Sequence, residues 1–213
     1  PDTILPVQVN YIHAYIDSFE NALDGINFMD SLVGHPYFID GISFVDFYIM
    51  NEITKNVDGY RISTFMYKDK ASNGGKLKMG PLWDFNIAIG NANYCSGQST
   101  SGWAKDFNVG CGNHGQLIPF WWDRLEQDPA YVTLRKCRWD YLRQNILHTD
   151  SLIAYIDTMA NYLSESQQRN FSQWPVLGIY VWPNNYIGNT YQEEINYLKT
   201  WLTDRMNWID ANM

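Results

Sequence analysis

The spacing of apolar residues predicts a chain that is mainly helical. The first apolar stripe consists of Val7, Tyr11, Tyr15, Phe19 and Leu23. Its four-residue spacing predicts an amphipathic helix from Pro6 to Leu23. A second helix is predicted from Ser43 to about Thr54, because Ser43 and Asp46 have the spacing of a capping box.

Two segments rich in β-forming residues follow, at 61–68 and 76–83. Between them lies Asp69-Lys70-Ala71-Ser72-Asn73-Gly74-Gly75, a run of turn-forming residues. Strand, turn and strand in this order predict one antiparallel β-hairpin.

The rest of the chain is predicted to be helical except for two long loops. Residues 91–115 and 171–189 form these loops, and the second is rich in aromatic residues. Helices are predicted at 120–127, from Pro129 to Ile146 behind an Asp128 N-cap, at 150–167, and from Thr190 to Ile209. The sequence therefore predicts a mainly α (α+β) fold, with one helical domain over residues 1–213 and one inserted hairpin.

Composition narrows the classes of partner. With 213 residues, of which 46% are hydrophobic, the chain is large enough to form a domain with its own core. The net charge of −8 argues against a nucleic-acid partner, which needs a basic face. No apolar run approaches the ~20 residues that cross a bilayer, so no membrane span is predicted.

The three cysteines do not have the spacing of a zinc site. Cys95 and Cys111 lie in one loop rich in glycine, serine and asparagine, where they either form a disulfide or remain free thiols. Cys137 falls within a helical pattern and is predicted to be a small buried residue.

Two aspartates flank the predicted hairpin. Asp58 lies in the turn before the first strand, and Asp84 follows the second strand. Because a hairpin returns the chain to its starting point, we expect the two carboxylates on the same side of the domain. Such a pair suits phosphoryl transfer, in which one carboxylate orients the acceptor hydroxyl and the other holds Mg²⁺ on the nucleotide phosphates. The alternative is that both are turn or capping residues.

The neighbours of Asp84 bear on its charge. Trp83 and Phe85 predict that this carboxylate is partly buried, and a buried charge needs a partner. A bound cation, Arg61 or Lys78 would each supply one.

A series of short motifs lies around the hairpin and in the later helices. They are, in order, Phe44-Val45-Asp46, Asn51-Glu52, Asn56-x-Asp58-Gly59-Tyr60, Tyr67-Lys68-Asp69, Gly80-Pro81-x-Trp83-Asp84 and Gly90-Asn91, followed by Arg138-Trp139-x-x-Leu142-Arg143 and the segment from Trp201 to Trp208. Taken together, these motifs resemble those of the CotH kinase family. The resemblance implies the large C-terminal lobe of an atypical protein kinase that uses ATP with Mg²⁺ or Mn²⁺ to phosphorylate serine or threonine of another protein. It also implies a bacterial protein outside the cytoplasm, as in a spore coat, at the cell surface or in secreted form.

Carried over to this sequence, the resemblance implies that Asp58 is the catalytic-loop aspartate and that Asp84 is the metal ligand. Asn56 is expected to shape the loop on the nucleotide side. Ser63 stands where the family commonly has a metal-binding asparagine, and Asn86 stands where many members have a second aspartate. Both are expected to act as weaker auxiliary ligands, and a kinase fold without activity remains an alternative.

A kinase also needs a β-rich lobe whose lysine contacts the nucleotide phosphates, and no such segment precedes Asp58. We therefore expect this nucleotide-covering lobe to lie outside the 213 residues, and the chain alone to be inactive. A different hypothesis rests on the aromatic residues of the 171–189 loop. Trp174 and Trp182 in this loop would form a surface that binds a glycan or a peptide without catalysis.

Overall fold

A computed structural model of the chain describes residues 4–111 and 116–213. Its helices are α1 (Pro6–Asp24), α2 (His35–Phe38), α3 (Gly41–Thr54), α4 (Phe107–Gly110), α5 (Trp121–Leu125), α6 (Pro129–Gln144), α7 (Thr149–Tyr162), α8 (Ser164–Gln173) and α9 (Tyr191–Asn212). Strands β1 (Met66–Lys68) and β2 (Leu77–Met79) form an antiparallel hairpin between α3 and α4. The predicted mainly helical fold with one inserted hairpin is confirmed. In the described ranges, no helix is both long and apolar enough to cross a membrane.

Helix α3 is the centre of the core, where it packs against α6, α9 and β2. Its buried apolar residues are Phe44, Val45, Phe47, Tyr48, Ile49 and Ile53. The predicted capping box at Ser43 is wrong, since the helix begins two residues earlier and Asp40 is its N-cap, accepting a 3.0 Å hydrogen bond from the Ser43 amide. Asp46 instead accepts a 2.7 Å hydrogen bond from Arg138, which ties α3 to α6.

The hairpin is shorter than predicted. Its register pairs Met66 with Met79 and Lys68 with Leu77. Residues 61–64 do not join the strand because the chain is still turning after α3, with the Ile62 amide bonded to the Asp58 carbonyl at 3.1 Å. Leu77 and Met79 are buried, and they fix the hairpin against α3.

The later helices follow the predicted pattern with one exception. Asp128 caps α6 by accepting a hydrogen bond from the Ala130 amide, and Thr190 caps α9 by accepting one from the Glu193 amide. The single helix predicted at 150–167 is wrong, because the chain breaks at Leu163 into α7 and α8.

Two of the three cysteines are bonded to each other. Cys95 and Cys111, which are 16 positions apart in the sequence, form a disulfide that closes the loop between them. The prediction that Cys137 is buried is wrong, since its thiol is free and exposed. The buried stripe of α6 runs through Arg135 and Trp139, so Cys137, two residues from each, lies on the opposite face.

The loop after the hairpin is held by a buried ion pair. Arg205 of α9 and Glu52 of α3 are both fully buried, and their side chains meet at 3.1 Å. Glu52 also accepts hydrogen bonds from the Ala104 and Lys105 amides at 2.7 and 3.0 Å and from the Tyr60 hydroxyl at 2.9 Å. The carboxylate therefore has a donor from three parts of the chain, which is what a buried charge requires.

Two cations bind successive carbonyl groups of the same loop. Arg205 donates to the carbonyls of Thr100 and Gly102 at 3.0 and 2.7 Å. Lys55, at the end of α3, donates to those of Ser99 and Ser101. Most of the predicted irregular loop at 91–115 is therefore ordered by side chains, and it includes α4; residues 112–115 lie outside the described part of the chain.

Candidate functional site

The hairpin brings Asp58 and Asp84 to one end of the domain. Ser63, just before β1, donates a 3.1 Å hydrogen bond from its hydroxyl to Oδ2 of Asp84, just after β2. The side-chain amide of Asn56 lies 3.5 Å from the Asp84 carbonyl oxygen. Four of the five residues proposed from the sequence therefore lie at this end of the domain: the buried Asn56, and Asp58, Ser63 and Asp84.

Asp58 is held by the turn that follows α3. Asn56 is buried, and its side-chain oxygen accepts a 3.2 Å hydrogen bond from the Asp58 amide. Partial burial raises the pKa of Asp58, the nearby Arg61 lowers it, and the charge of Asp84 raises it again, with a net upward shift. A carboxylate with a raised pKa is a better proton acceptor than a free one.

Asp84 does not have the environment predicted for it. The expectation that Trp83 and Phe85 would partly bury it is wrong, because Asp84 is exposed and Trp83 itself is 62% exposed, with its ring edge-on to Phe65. Lys78 is not its counter-charge, since the Lys78 ammonium lies 3.6 Å from Asp40. The backbone of Asp84 is in the left-handed region, with φ of 66°, which turns the chain away from the hairpin.

Asn86 has no hydrogen bond to the other four residues in the described part of the chain. Its side chain is exposed, and its carbonyl accepts a 3.0 Å hydrogen bond from the Asn91 side chain. This bond stabilises the turn at 86–91, which reaches α9 at Gly90. A Cβ at Gly90 would lie 2.5 Å from the Trp201 ring, so only glycine permits this close approach.

Tyr94 belongs to the same surface and was missed by sequence reasoning. Burial raises the pKa of Tyr94, and the charge of Asp58 raises it further while Arg61 opposes the change, which places the phenol near both groups. The ring stacks on Trp182, with centroids 6.0 Å apart and planes 7° apart. The signal available in the sequence was its position directly before Cys95, in the loop that the disulfide holds.

The aromatic loop reaches the site through Tyr94. The Asn93 amide donates to the Pro183 carbonyl at 2.9 Å, and the Asn93 side chain donates to the Tyr180 hydroxyl at 2.9 Å. Trp182 is 71% exposed, so one face of its ring is covered by Tyr94 and much of the remainder faces solvent. An exposed aromatic surface therefore borders Asp58 through Tyr94.

The oxygen atoms around Asp58 and Asp84 are ligands of the kind that a divalent cation binds. Among the described residues, no three His, Cys, Asp or Glu side chains lie close enough together to hold a metal ion. The charge of Asp84 contributes to the raised pKa of Asp58, and an exposed carboxylate next to a hydroxyl is an oxygen-rich site. This fits Mg²⁺ or Mn²⁺ held by one or two carboxylates together with the phosphates of a nucleotide.

Comparison with known proteins gives one match. The family model described as CotH kinase protein matches residues 1–209, which is nearly the whole chain. Neither the search of curated proteins nor the search of solved structures found a match.

Proposed function

Because the chain belongs to the CotH kinase protein family, we propose that it carries the phosphotransfer centre of a protein kinase that uses ATP. The observation that carries this proposal is the convergence of Asp58 and Asp84, linked through Ser63, at the open end of the hairpin. Phosphoryl transfer requires positioning and neutralisation of charge more than covalent chemistry by the protein. Two carboxylates at the two ends of one hairpin suit the first requirement.

Asp58 is the residue proposed to orient the acceptor hydroxyl. Its amide is fixed by the buried Asn56, and its carboxylate is half-buried beside Arg61, so the side chain is placed by the turn itself. The raised pKa favours acceptance of the hydroxyl proton as the new bond to phosphorus forms.

Asp84 is the residue proposed to hold Mg²⁺ or Mn²⁺ on the nucleotide. Its exposure leaves the carboxylate free to contact a cation, and Ser63 holds one of its oxygens in place. When bound, the cation supplies neutralisation of the phosphate charge. Asn86 is an auxiliary ligand in this proposal, and its neutral amide makes it a weaker ligand than a carboxylate.

The nucleotide also needs a cover, because Asp84 and Trp83 face solvent. We propose that a β-rich lobe supplies it together with a lysine for the phosphates. The exposed apolar residues beside the hairpin, Phe65, Tyr67 and Trp83, are the surface on which such a lobe would pack. Without this lobe the chain described here is expected to be inactive.

The acceptor is proposed to be a serine or threonine of another protein outside the cytoplasm. The disulfide between Cys95 and Cys111 supports this location, because disulfides persist in oxidising compartments. A spore coat, a cell surface and the secreted fraction of a bacterium are the settings that fit the family.

Transfer of the γ-phosphate tests the proposal. The natural full-length protein, given Mn²⁺ and radiolabelled ATP, is expected to incorporate label into itself or into proteins from its own compartment. Asp58→Asn should abolish incorporation, because the side chain keeps its shape and loses its proton-accepting charge. Equal incorporation by this variant would remove Asp58 from the reaction.

A second function is favoured by the exposed Trp182 ring on Tyr94. Here the chain would be a surface module without activity that binds a glycan or a peptide by stacking. Binding of oligosaccharides that is lost in Trp182→Ala and unaffected by Asp58→Asn would support this function. Loss of phosphotransfer in Asp58→Asn, with no oligosaccharide bound by either protein, would exclude it.

A further inference from the structure

A cleft of about 450 Å³ opens beside the candidate site. One wall is the turn at 85–91, which begins directly after Asp84, and the others come from the segment 176–187 and from α9. The volume is in the range of pockets that hold a small molecule or a single large side chain. Its position places an occupant next to the proposed site of transfer.

The lining of the cleft combines aromatic rings with a single carboxylate. The rings are Phe85, Phe171, Tyr186 and Tyr197, and the last two stack with centroids 4.3 Å apart. Glu194 is the one charged side chain that lines the cleft within the described ranges. Aliphatic side chains of α9, including Ile195 and Leu198, form much of the remaining surface.

One of the two carboxylate oxygens of Glu194 accepts a hydrogen bond from the protein backbone. Its Oε1 accepts a 2.6 Å hydrogen bond from the Gly188 amide, which fixes the side chain at the cleft. In the part of the chain that the structure describes, its Oε2 accepts no hydrogen bond. A half-buried carboxylate with a free oxygen favours a cationic partner.

These features together select a long cationic side chain. Aromatic rings attract cations through their quadrupoles, and the aliphatic surface suits the methylene stem of lysine or arginine. A purely apolar occupant would remove water from Glu194 without returning a partner, which is costly. The net charge of −8 adds a favourable field for a basic ligand.

We propose that this cleft binds an arginine or lysine side chain of the protein that is phosphorylated, close in sequence to the acceptor hydroxyl. The assignment of the ligand as a phosphorylation substrate rests on the proposed function, whereas the binding itself does not. Glu194 is thereby a residue that determines specificity, and it takes no part in the transfer of phosphate.

Peptide binding without nucleotide tests the inference. The probe is a capped, fluorescently labelled pentapeptide with arginine at its second position and serine at its fourth, and the matched probe has norleucine in place of arginine. Fluorescence anisotropy measures binding to the chain, to Glu194→Gln and to Glu193→Gln. Glu193 is the control because it is the adjacent carboxylate, also accepts a backbone amide, and does not line the cleft.

We expect the arginine peptide to bind the chain at least about fivefold more tightly than the norleucine peptide. Glu194→Gln should remove that preference and Glu193→Gln should keep it. Equal affinity for the two peptides, or an equal loss in both variants, would overturn the inference. Nucleotide binding by the natural full-length protein, with and without Glu194→Gln, separates the two proposals, since it should be unchanged if the phosphotransfer centre is at Asp84.

Discussion

The hydroxyl of Ser63 donates a 3.1 Å hydrogen bond to Oδ2 of Asp84, and this contact joins the two ends of the hairpin. Twenty-one residues separate the two side chains in sequence. Their contact fixes the direction of one Asp84 oxygen, and the other accepts no hydrogen bond from residues 4–111 or 116–213. The orientation of this carboxylate is therefore part of the fold and does not depend on a ligand.

Asn86→Asp is expected to strengthen metal binding. The substitution adds a negative oxygen ligand two residues from Asp84 on the same exposed turn. The affinity of the chain for Mn²⁺, measured by the electron paramagnetic resonance signal of the free ion, should rise by about fivefold or more. The same change at Asn93, whose side chain is bonded to Tyr180, should have a smaller effect. An equal rise in both variants would show that net charge alone is responsible.

Removal of Arg205 is expected to destabilise the fold strongly. Arg205→Met leaves the fully buried Glu52 without its counter-charge and frees the carbonyls of Thr100 and Gly102. Loss of one partner of a buried ion pair costs about 3–5 kcal/mol of the free energy of unfolding, which urea denaturation measures. Arg169→Met removes an exposed 3.7 Å pair with Glu165 and should cost less than about 1 kcal/mol. Similar losses in the two variants would contradict the importance of the buried pair.

The disulfide is expected to stabilise the loop that carries Tyr94. Replacing Cys95 and Cys111 with serine should lower the free energy of unfolding by about 2–4 kcal/mol, because the unfolded chain gains conformational freedom. Cys137→Ser is the matched control, since this thiol is free and exposed, and it should have little effect. A stable double variant that denatures at the same urea concentration as the original chain would refute the prediction.

Acid is expected to weaken the fold through His35. Burial lowers the pKa of this histidine, although a 2.8 Å hydrogen bond to Asp128 opposes the change. Since the unfolded chain then binds the proton more readily than the folded chain, stability is fully present above the ordinary value of 6.5 and falls as the pH drops below it. His35→Gln removes the titration and should flatten the dependence of the urea midpoint on pH between about 6.5 and 5. An unchanged slope would show that other groups cause the acid sensitivity.

The fold was largely predictable because its helices have regular apolar spacing and strong caps. Asp128 and Thr190 each bond to a backbone amide near the start of their helix, and this local chemistry is visible in the sequence. The break at Leu163 was not predictable, because no glycine or proline stands near it in the sequence and the structure shows no side-chain cap there. Cys137 was misplaced because neighbouring positions on a helix differ in burial according to what packs against α6.

The part of the candidate site that the hairpin brings together was predictable from the sequence. The part formed by contacts between segments far apart in the sequence was not. The return of the chain to its starting point follows from two strands and a turn, and it brings Asp84 to Ser63. Tyr94 reaches the site through a loop held by Cys111 and stacks on Trp182, and these contacts join segments far apart in sequence. The prediction that Asp84 is partly buried was wrong for the same reason, because hydrophobic neighbours in the sequence do not imply burial in the structure.

Calorimetric titration of Mn²⁺-ATP into the natural full-length protein tests the central claim most directly, with Asp84→Ala and Asp69→Ala measured beside it. Asp69 is the control because it is also exposed and lies at the turn, the opposite end of the same hairpin. The account predicts binding that is lost in Asp84→Ala and retained in Asp69→Ala. Equal binding by the original protein and Asp84→Ala would contradict it, because the nucleotide would then be held away from the carboxylates of this hairpin.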